Sequence, residues 1–451
     1  MEDLRGRKVL VLGLARTGRS AAVFLAARGA RVVAVDERAD VDVSGLPPEV
    51  EVHPGGTWPD PADFDLVVPS PGVPHARYAA RARRAWGDLE IAWRALAVPI
   101  VAVTGTNGKS TTVRLVEAML RAAGLRAAAA GNVGRPALEL VGEALDVAVL
   151  EVSSFQLEAV EGFRPRVAAL LNVTDDHLDR HGSLEAYLAA KRRIFARQGE
   201  GDTAVLAADD PRVAALAGSL PAERTLLFSA RGPCAEGAFL DGDRIVLQRD
   251  GRATRLDVPG GALPPAPVRD DVLAALLAAV AAGADPAAAL GALVDFRPLP
   301  HRMEPVRVRG GVRFVNDSKA TNPGAAEAAL RGPAGPVVWL AGGRDKGLDF
   351  RGLAEAARGR VRVALLYGEA APKLAAALEG CVPTERVPDL DAAVARAAAL
   401  ARPGETVLLA PASASFDQFR DYEARGERFR SLVAGLPGAG GADAGPEEDA
   451  S

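Results

Sequence analysis

Residues 101–112 read VAVTGTNGKSTT, and this stretch decides the fold class of the middle of the chain. An apolar run typical of a buried strand stops at Gly105, and the helical stretch TTVRLVEAML follows directly after Ser110. A glycine-rich turn between a strand and a helix presents unpaired N–H groups to phosphate oxygens. The full phosphate-loop pattern has a glycine five positions before Gly108, where this chain has Val103. The sequence therefore predicts a shortened phosphate loop.

The composition narrows the class of protein. With 451 residues, and about 150 residues per domain as a guide, we expect three domains. Hydrophobic residues make up 49% of the chain and charged residues 25%, which is typical of a globular protein. A net charge of only -4 gives no indication of nucleic acid or an anionic membrane as the main partner. Cys234 and Cys381 match no metal or redox spacing, and no apolar run approaches about 18 residues. We expect a monomeric cytoplasmic protein that is not inserted in a membrane.

Apolar runs alternate with helical stretches along most of the chain, which is typical of an α/β protein. The first series contains KVLVLGL, RVVAVD and DLVVPSPG, the second runs from PIVAVTG to TLLFS, and the third from VRFVNDS to TVLLAPAS. The more polar segment 229–268 predicts a hairpin at a sheet edge. The predicted regions are a Rossmann-like domain at 1–93, a central ATP-binding α/β domain of the phosphate-loop type at 94–297, a Rossmann-like domain at 298–437 and a disordered tail at 438–451.

A second glycine-rich turn, GLARTG, follows the first predicted strand and precedes a helical stretch. With Asp36 at the end of the next strand it resembles a dinucleotide-binding fingerprint. Ala15, however, replaces the middle glycine that lets the backbone approach a pyrophosphate, so the signal for NAD is weak. Two interpretations stay open at this point, a site for some other phosphate and a packing unit without a ligand.

Chemically informative side chains follow the predicted strands of the central domain. Lys109 is placed to neutralise β- and γ-phosphate charge, and the Ser110 hydroxyl to bind magnesium. Glu151 and His177 follow two further strands, so we expect both at the same sheet edge as the loop, where they could also bind magnesium. Lys191 in AYLAAKRRIF is harder to explain, because an ammonium group cannot bind a cation. Its position alone favours a solvated charge on a helix.

Four polar motifs of the third domain follow or face predicted strand ends, so they could line one crevice. Their composition suits a small anionic ligand together with part of a nucleotide. The residues are Arg302 in HRME; Asp317, Lys319 and Thr321 in FVNDSKATN; Lys346 in GGRDKG; and Ser413, Ser415 and Phe416 in APASASFDQF.

These motifs resemble one family along almost the whole chain, the Mur ligases, which are ATP-dependent enzymes that add amino acids to the peptidoglycan precursor. The motifs GTNGKST, GNVG, EVSSFQL, NVTDDHLDRH, AAKRRIF, LPHRME, NDSKATN and GGRDKG occur in the family's order. The resemblance implies an amide ligase that activates a substrate carboxylate as an acyl phosphate. Within the family, the short first domain, NDSKATN, Lys346 and APASASFDQF most resemble the members that join UDP-N-acetylmuramoyl-L-alanine and D-glutamate, so the resemblance implies these two small molecules as substrates.

The resemblance also implies roles for individual residues, with ATP and Mg²⁺ as the cofactors. The uridine diphosphate part of the substrate would lie near Thr17, Asp36, Arg38, Ser70, Gly72 and Asn132. ATP would contact Gly105, Thr106, Asn107, Gly108, Lys109, Ser110, Thr111, Arg302, Asp317 and Lys319. Magnesium would be bound by Ser110, Glu151, His177 and Lys191, the lysine as a carbamate. Lys109, Asn132, His177 and Lys191 would be the catalytic residues, and Thr321, Lys346, Ser415 and Phe416 would contact D-glutamate.

Two places depart from the family pattern. The family's His-Asn and second Asn near the adenine are replaced by Arg269, Asp270 and Leu273, and Pro298 stands where a glycine is usual. Rival interpretations remain. They are a sister Mur ligase for another amino acid, a folylpolyglutamate synthase, which shares the short loop, a nucleotide-binding module without catalysis, and an NAD-dependent oxidoreductase that rests on residues 8–36 alone.

Overall fold

The computed structural model of the chain describes residues 3–132, 134–261 and 263–438. The tail predicted at 438–451 therefore lies outside the described residues, except for Gly438. The chain divides into two compact units. Unit 1 comprises the described residues up to Val173 together with 177–261 and 271–295, and unit 2 comprises 174–176, 263–270 and the described residues from Phe296 onward.

The N-terminal part of unit 1 is built on a four-stranded parallel sheet. Its elements are β1 (Lys8–Leu12), α1 (Arg16–Ala26), β2 (Arg31–Asp36), β3 (Glu51–Pro54), β4 (Leu66–Pro69) and α2 (Asp88–Ala95). The strand order is β3-β2-β1-β4. The two central strands, β1 and β2, are apolar runs because parallel strands covered on both faces bury most of their side chains.

The rest of unit 1 is built on a nine-stranded sheet. Its strands are β5 (Ile100–Thr104), β6 (Ala127–Gly131), β7 (Val147–Glu151), β8 (Val167–Leu170), β9 (Thr203–Ala207), β10 (Arg224–Ser229), β11 (Gly237–Asp241), β12 (Arg244–Arg249) and β13 (Arg252–Leu256). The helices of this part are α3 (Lys109–Ala122), α4 (Ser154–Leu157), α5 (Leu178–His181), α6 (Leu184–Arg192), α7 (Pro211–Ala214), α8 (Val268–Ala281) and α9 (Pro286–Leu290). The division between the units passes through α8.

The strand order of this sheet, β13-β12-β11-β10-β9-β8-β5-β7-β6, places β5 between β7 and β8. The chain first adds strands on one side of β5 and then on the other, which makes its carboxyl end a topological switch point, where ligands of α/β proteins bind. The pairing register brings the carboxyl ends of β5, β7 and β8 side by side, because Val103 pairs with Glu151 and Thr104 with Leu170. The residues that follow β5, β7 and β8 therefore lie at one edge.

Unit 2 is built on a six-stranded sheet in which only the first pair of strands is antiparallel. Its elements are β14 (Glu304–Arg309), β15 (Val312–Asn316), α10 (Pro323–Leu330), β16 (Val337–Gly342), α11 (Arg351–Ala357), β17 (Val361–Tyr367), α12 (Ala371–Leu378), β18 (Thr384–Arg386), α13 (Leu390–Leu400), β19 (Thr406–Ala412) and α14 (Tyr422–Ala434). The order is β14-β15-β19-β16-β17-β18. Along β16, Trp339 and Ala341 enter one core cluster while Val338 and Leu340 enter the other, so both faces of the sheet are covered.

The predicted α/β class and the predicted apolar strands are confirmed, as is the hairpin at a sheet edge, which is formed by β11, β12 and β13. The sequence did not indicate β3, β14 or β18, whose side chains are mostly polar or exposed. Among the described residues, no helix is both long and apolar enough to cross a bilayer. The domain boundaries given above remain predictions.

Candidate nucleotide and substrate sites

The predicted phosphate loop lies at the carboxyl end of β5, and α3 begins at Lys109. The first N–H groups of a helix have no partners within the helix, so they can bind phosphate oxygens. Gly108 precedes the helix with a φ of 87°, a conformation that favours glycine. A Cβ atom there would lie 2.2 Å from Oδ1 of Asp271, so the loop also has no space for a side chain at this position.

Asn172, two residues after the end of β8, holds the phosphate loop in place. The Asn107 N–H donates to the side-chain oxygen of Asn172 at 2.8 Å, and the Asn172 amide donates back to the Asn107 carbonyl at 3.1 Å. The Thr106 N–H donates to the backbone carbonyl of Asn172 at 3.0 Å. The protein therefore fixes the shape of the loop through its own hydrogen bonds.

Two lysines converge on one carbonyl group of the loop. Nζ of Lys109 donates to the carbonyl oxygens of Gly105 at 2.9 Å and Thr106 at 2.8 Å, and Nζ of Lys191 donates to the Gly105 carbonyl at 2.8 Å. Lys191 is only 1% exposed. The interpretation of Lys191 as a solvated helix charge is therefore wrong, because α6 directs this side chain into the protein. Since lysine is seldom fully buried unless it is paired, Lys191 belongs with the candidate site.

Glu151 and Asn132 are also brought together. Glu151 ends β7 and is 3% exposed; Nδ2 of Asn132 donates to its Oε1 at 3.0 Å, and the Asn132 N–H donates to its carbonyl at 2.9 Å. At Gly131 a Cβ atom would lie 2.2 Å from the Glu151 carbonyl oxygen, at a φ of 118°. Gly131, the first glycine of GNVG, thus lets Asn132 approach Glu151 and orient the Glu151 carboxylate.

His177 stands in an aromatic environment immediately before α5. Its ring centroid lies 5.0 Å from that of Phe155 and 6.2 Å from that of Tyr187, and Nζ of Lys191 lies 4.4 Å from the Tyr187 centroid. Tyr187 therefore connects His177 with Lys191. The sequence reasoning missed both aromatic residues, although Tyr187 precedes Lys191 by four positions and so shares its helix face.

The predicted metal ligands are a mixed set. The Ser110 hydroxyl, the Glu151 carboxylate and the His177 ring are donors that can bind a divalent cation, whereas the ammonium of Lys191 is not. Within 3–132, 134–261 and 263–438, no cluster of three or more His, Cys, Asp or Glu side chains could hold a metal ion. A cation at this edge would therefore need further oxygen ligands, which a triphosphate or a carbamate on Lys191 would supply.

Asp271 is a residue near the phosphate loop that the sequence reasoning missed. It is 5% exposed, it packs against Gly108, and its Oδ1 accepts a hydrogen bond from the Thr112 hydroxyl at 3.3 Å. Of the residues considered for adenine, Leu273 is fully buried within α8, so it offers no surface to a base, while Arg269 and Asp270 are half-buried. The sequence feature that could have identified Asp271 is its position directly after Asp270, which the sequence reasoning did consider.

In the first sheet, Asp36 and Ser70 shape the glycine turn after β1. Asp36 accepts from the Leu14 N–H at 2.7 Å and from Nε of Arg38 at 3.1 Å, and the Ser70 hydroxyl donates to the Gly13 carbonyl at 2.8 Å. Burial alone would raise the pKa of Asp36, but the hydrogen bonds from Arg38 and Leu14 outweigh burial and hold the pKa below its usual range. Asp36 is therefore an ionised anchor for the turn.

A cavity of about 680 Å³ opens beside this turn and is lined by guanidinium groups together with apolar side chains. Arg16, Arg19 and Arg38 line it with Val23 and Phe24, a combination that suits phosphates and a planar ring. Of the residues predicted to contact the uridine diphosphate part of the substrate, Arg38 lines this cavity. Of the others, Asp36 and Ser70 are buried, Thr17 is half-buried on α1, and Gly72 is exposed.

In unit 2, Arg302, Asp317 and Lys319 lie around one loop junction. Asp317 is fully buried, and its Oδ1 accepts from the Met303 N–H at 3.2 Å; the Lys319 N–H donates to the His301 carbonyl at 3.1 Å. Burial raises the pKa of Asp317 to about 6, while the charges of Arg302 and Lys319 act in the opposite direction. The structure thus brings these three predicted nucleotide residues together.

The residues predicted to bind D-glutamate lie on loops that follow three strands of unit 2. The loop with Lys346 is joined to the loop with Ser415 by a hydrogen bond from the Arg344 N–H to the Ala414 carbonyl at 2.8 Å. Ser415 is 2% exposed, whereas Lys346 is exposed. Thr321 is half-buried on the loop after β15.

Arg425 on α14 is a second residue that the sequence reasoning missed. Its buried guanidinium donates to the hydroxyl and the carbonyl of Ser318 at 3.0 and 2.8 Å and to the Ser413 carbonyl at 3.1 Å. It therefore ties the loop after β15 to the loop after β19. Phe416, by contrast, is 59% exposed. In a chain so rich in arginine, the position of Arg425 in the sequence carried no signal.

Three family models match the chain. A MurD-like N-terminal domain of Mur ligases matches residues 7–88, the Mur ligase middle domain matches 103–262, and the Mur ligase glutamate ligase domain matches 301–413. The three matches contain, in order, the glycine turn after β1, the phosphate loop and the loops of unit 2 that carry Arg302, Asp317 and Lys346.

Curated relatives extend the match to nearly the full length. The UDP-N-acetylmuramoylalanine--D-glutamate ligase of Geobacter metallireducens is 43% identical over 447 residues, which covers 96% of this chain and 98% of the relative. The protein of the same name from Anaeromyxobacter dehalogenans is 45% identical, with 96% and 98% of the two chains covered.

Solved structures share the fold. A MurF ligase from Thermotoga maritima in complex with ADP has a TM-score of 0.60 at 18% identity, and the alignment covers 96% of each chain. A pseudomurein peptide ligase type C from Methanothermus fervidus has the same TM-score and identity, with 95% of this chain and 99% of that chain covered. The family suggested by the order of the sequence motifs is thereby confirmed, and the chain belongs to the Mur ligases, with their three-domain α/β fold.

Proposed function

We propose that this chain is the ATP-dependent ligase that joins D-glutamate to UDP-N-acetylmuramoyl-L-alanine in peptidoglycan precursor synthesis, with release of ADP and phosphate. Two relatives that carry this activity in their names are 43 and 45% identical over nearly the whole chain. The structural observation that supports the proposal most is the convergence of Lys109 and Lys191 on the Gly105 carbonyl of the phosphate loop.

The reaction must begin by activating a carboxylate, because a free carboxylate is a poor electrophile for an amine. The terminal carboxylate of the UDP substrate attacks the γ-phosphorus of ATP, which forms an acyl phosphate and displaces ADP. The amine of D-glutamate then attacks the acyl carbon, and inorganic phosphate leaves. The N–H groups at the start of α3 bind phosphate oxygens, and Lys109 offsets the negative charge on the transferred group.

Magnesium, when bound, neutralises charge between the triphosphate and the attacking carboxylate. Ser110, Glu151 and His177 are the side chains that would hold it, and the Asn132 amide keeps Glu151 in orientation. A carbamate on Lys191 would add anionic oxygens to this set. The lysine is suited to that modification, since it is buried beside the loop and an arginine would not form the same adduct.

The substrates are divided between the units. In unit 1 the cavity with Arg16, Arg19 and Arg38 is proposed to bind the uridine diphosphate part. In unit 2, Arg302, Asp317 and Lys319 are proposed to contact the nucleotide. Among the described residues, Oδ2 of Asp317 is buried without a hydrogen-bond partner, which leaves an acceptor for a ligand hydroxyl.

The amine substrate is proposed to bind between the loops of unit 2 that carry Thr321, Lys346, Ser415 and Phe416. The exposed Lys346 ammonium would pair with a carboxylate of D-glutamate. A monomeric state and a cytoplasmic location complete the proposal; the two cysteines, which match no disulfide or metal spacing, support the latter.

The test is ADP release by the purified protein supplied with ATP, magnesium and UDP-N-acetylmuramoyl-L-alanine, with and without D-glutamate. We expect release that depends on both organic substrates. A panel of other amino acids is the control. Release with a different amino acid in place of D-glutamate would make the chain a sister ligase, and no release with any of them would overturn the proposal.

A further inference from the structure

The two sheets of unit 1 are connected through Arg180, which lies three positions after His177 in α5. Its Nη2 donates to the Val73 carbonyl at 3.0 Å and to Oε2 of Glu158 at 2.6 Å, and its Nε donates to Oε1 of Glu158 at 3.4 Å. The guanidinium also lies 5.0 Å from the ring centroid of Phe155, and the side chain is only 16% exposed. One side chain thus bridges a carbonyl near the first sheet and a carboxylate near the second.

Hydrogen bonds continue from both ends of this bridge. The Val73 N–H donates to the Ser70 carbonyl at 2.9 Å, and the Ser70 hydroxyl donates to the Gly13 carbonyl at 2.8 Å. At the other end, the Arg180 N–H donates to the His177 carbonyl at 3.1 Å. A continuous path therefore runs from the glycine turn after β1, through the turn at 70–73, to the turn that carries His177.

We propose that Arg180 is a positioning residue that fixes the position of the turn at 70–73 relative to His177. The carboxylate end of the UDP substrate is thereby placed next to the phosphate loop. The inference rests on the proposed function, because it takes the turn at 70–73 as part of the substrate site. A misplacement of about 1 Å can cost roughly 100-fold in rate. A contact away from the transferred phosphate can therefore control the reaction.

The choice of arginine fits this role. Binding a carbonyl and both oxygens of a carboxylate together requires several N–H donors with fixed directions, which a guanidinium has and an ammonium on a flexible stem lacks. The Arg180 and Glu158 side chains are each only 16% exposed, so water competes little with their contact. A lysine at this position would keep the ion pair but not the three contacts at once.

The first test is steady-state kinetics of Arg180→Ala and Arg180→Lys. For Arg180→Ala we expect kcat to fall roughly 100-fold and KM for the UDP substrate to rise roughly tenfold, with KM for ATP nearly unchanged. Arg180→Lys should regain part of kcat. Arg197→Ala is the matched control, because Nε of that exposed arginine donates to a single carbonyl, that of Glu161, at 2.9 Å. Equal rises in all KM values, or an Arg180→Ala variant as active as the control, would overturn the inference.

The second test does not depend on ligase activity. Hydrogen exchange of the full chain should be faster in both 70–78 and 177–187 in Arg180→Ala, and unchanged in these segments in Arg197→Ala. Unchanged exchange in either segment would refute the link, even if the wild-type chain proved to be an active ligase. Conversely, faster exchange in both segments would support the link even if the proposed substrates were wrong.

Discussion

Asp88 in α2 is a buried acid whose ionisation should lower the stability of unit 1. Its carboxylate is 2% exposed and accepts hydrogen bonds from Nε2 of Gln156 at 3.0 and 3.3 Å. Burial raises the pKa of Asp88 from 3.8 to about 6, and the bonds from Gln156 offset this only in part. Because the pKa is higher in the folded chain than in the unfolded one, the stabilising contribution is complete below pH 3.8 and is lost as the pH rises through about 6.

Replacing Asp88 with asparagine should therefore stabilise the protein at pH 8. A pKa difference of about two units corresponds to about 3 kcal/mol, and asparagine keeps an oxygen that can accept from Gln156. For a unit of this size each 1 kcal/mol moves the melting temperature by about 2 °C. We expect Asp88→Asn to melt about 5 °C above the wild type at pH 8 and only about 2 °C above it at pH 4.5, where most of the wild-type carboxyl is protonated in the folded chain.

The assay is thermal unfolding followed by circular dichroism from pH 4.5 to 8. Asp146→Asn is the control, because the hydrogen bonds from Arg126 lower the pKa of Asp146 to about 2, so this acid does not titrate in the range measured. Its melting temperature should differ from that of the wild type by the same amount at every pH. A gap between wild type and Asp88→Asn that does not change between pH 4.5 and 8 would refute the reasoning.

Three further predictions concern the candidate sites. Lys191→Ala should lose most ADP release and regain part of it with added short carboxylates; full activity without them would remove the carbamate from the proposal. Lys346→Ala should raise KM for D-glutamate more than KM for ATP, because it removes the cation expected to pair with the amino acid, and an unchanged KM for D-glutamate would move that site elsewhere. Gly131→Ala should abolish ADP release, since its Cβ would lie 2.2 Å from the Glu151 carbonyl oxygen. Gly134→Ala is the matched control, also at positive φ but with nothing within 4 Å, and equal activity of the two variants would disprove the close fit.

The sequence predicted the elements whose side chains are buried on both faces. The run VAVL in β7 is short, rich in valine and followed by polar residues, and these features together favour a buried strand over a buried helix. The strands β3 and β18 were missed because edge strands bury few side chains and their residues are mostly polar. Pairing with a neighbouring strand, which a local pattern does not record, defines these two elements.

The candidate site was predictable where the reactive side chains lie in a short segment whose local structure is also clear from the sequence, as in the phosphate loop between β5 and α3. The exposure of Lys191 was mispredicted because the surrounding alanines on α6 do not distinguish a buried helix face from an exposed one. Asp271 lies 163 positions after Gly108 and contacts it only in the folded chain. Such contacts depend on the register of a helix against a loop, and one sequence contains no measure of that register.

The division of the chain into two units also has an evolutionary consequence. The phosphate loop, Lys191 and His177 belong to unit 1, whereas Lys346 and Ser415 belong to unit 2. With the amine site in unit 2, as proposed above, a mutation that changes which amine is accepted can arise without altering the hydrogen bonds that shape the phosphate loop. Gene duplication followed by drift in unit 2 would then yield enzymes with new products that keep the same coupling to ATP.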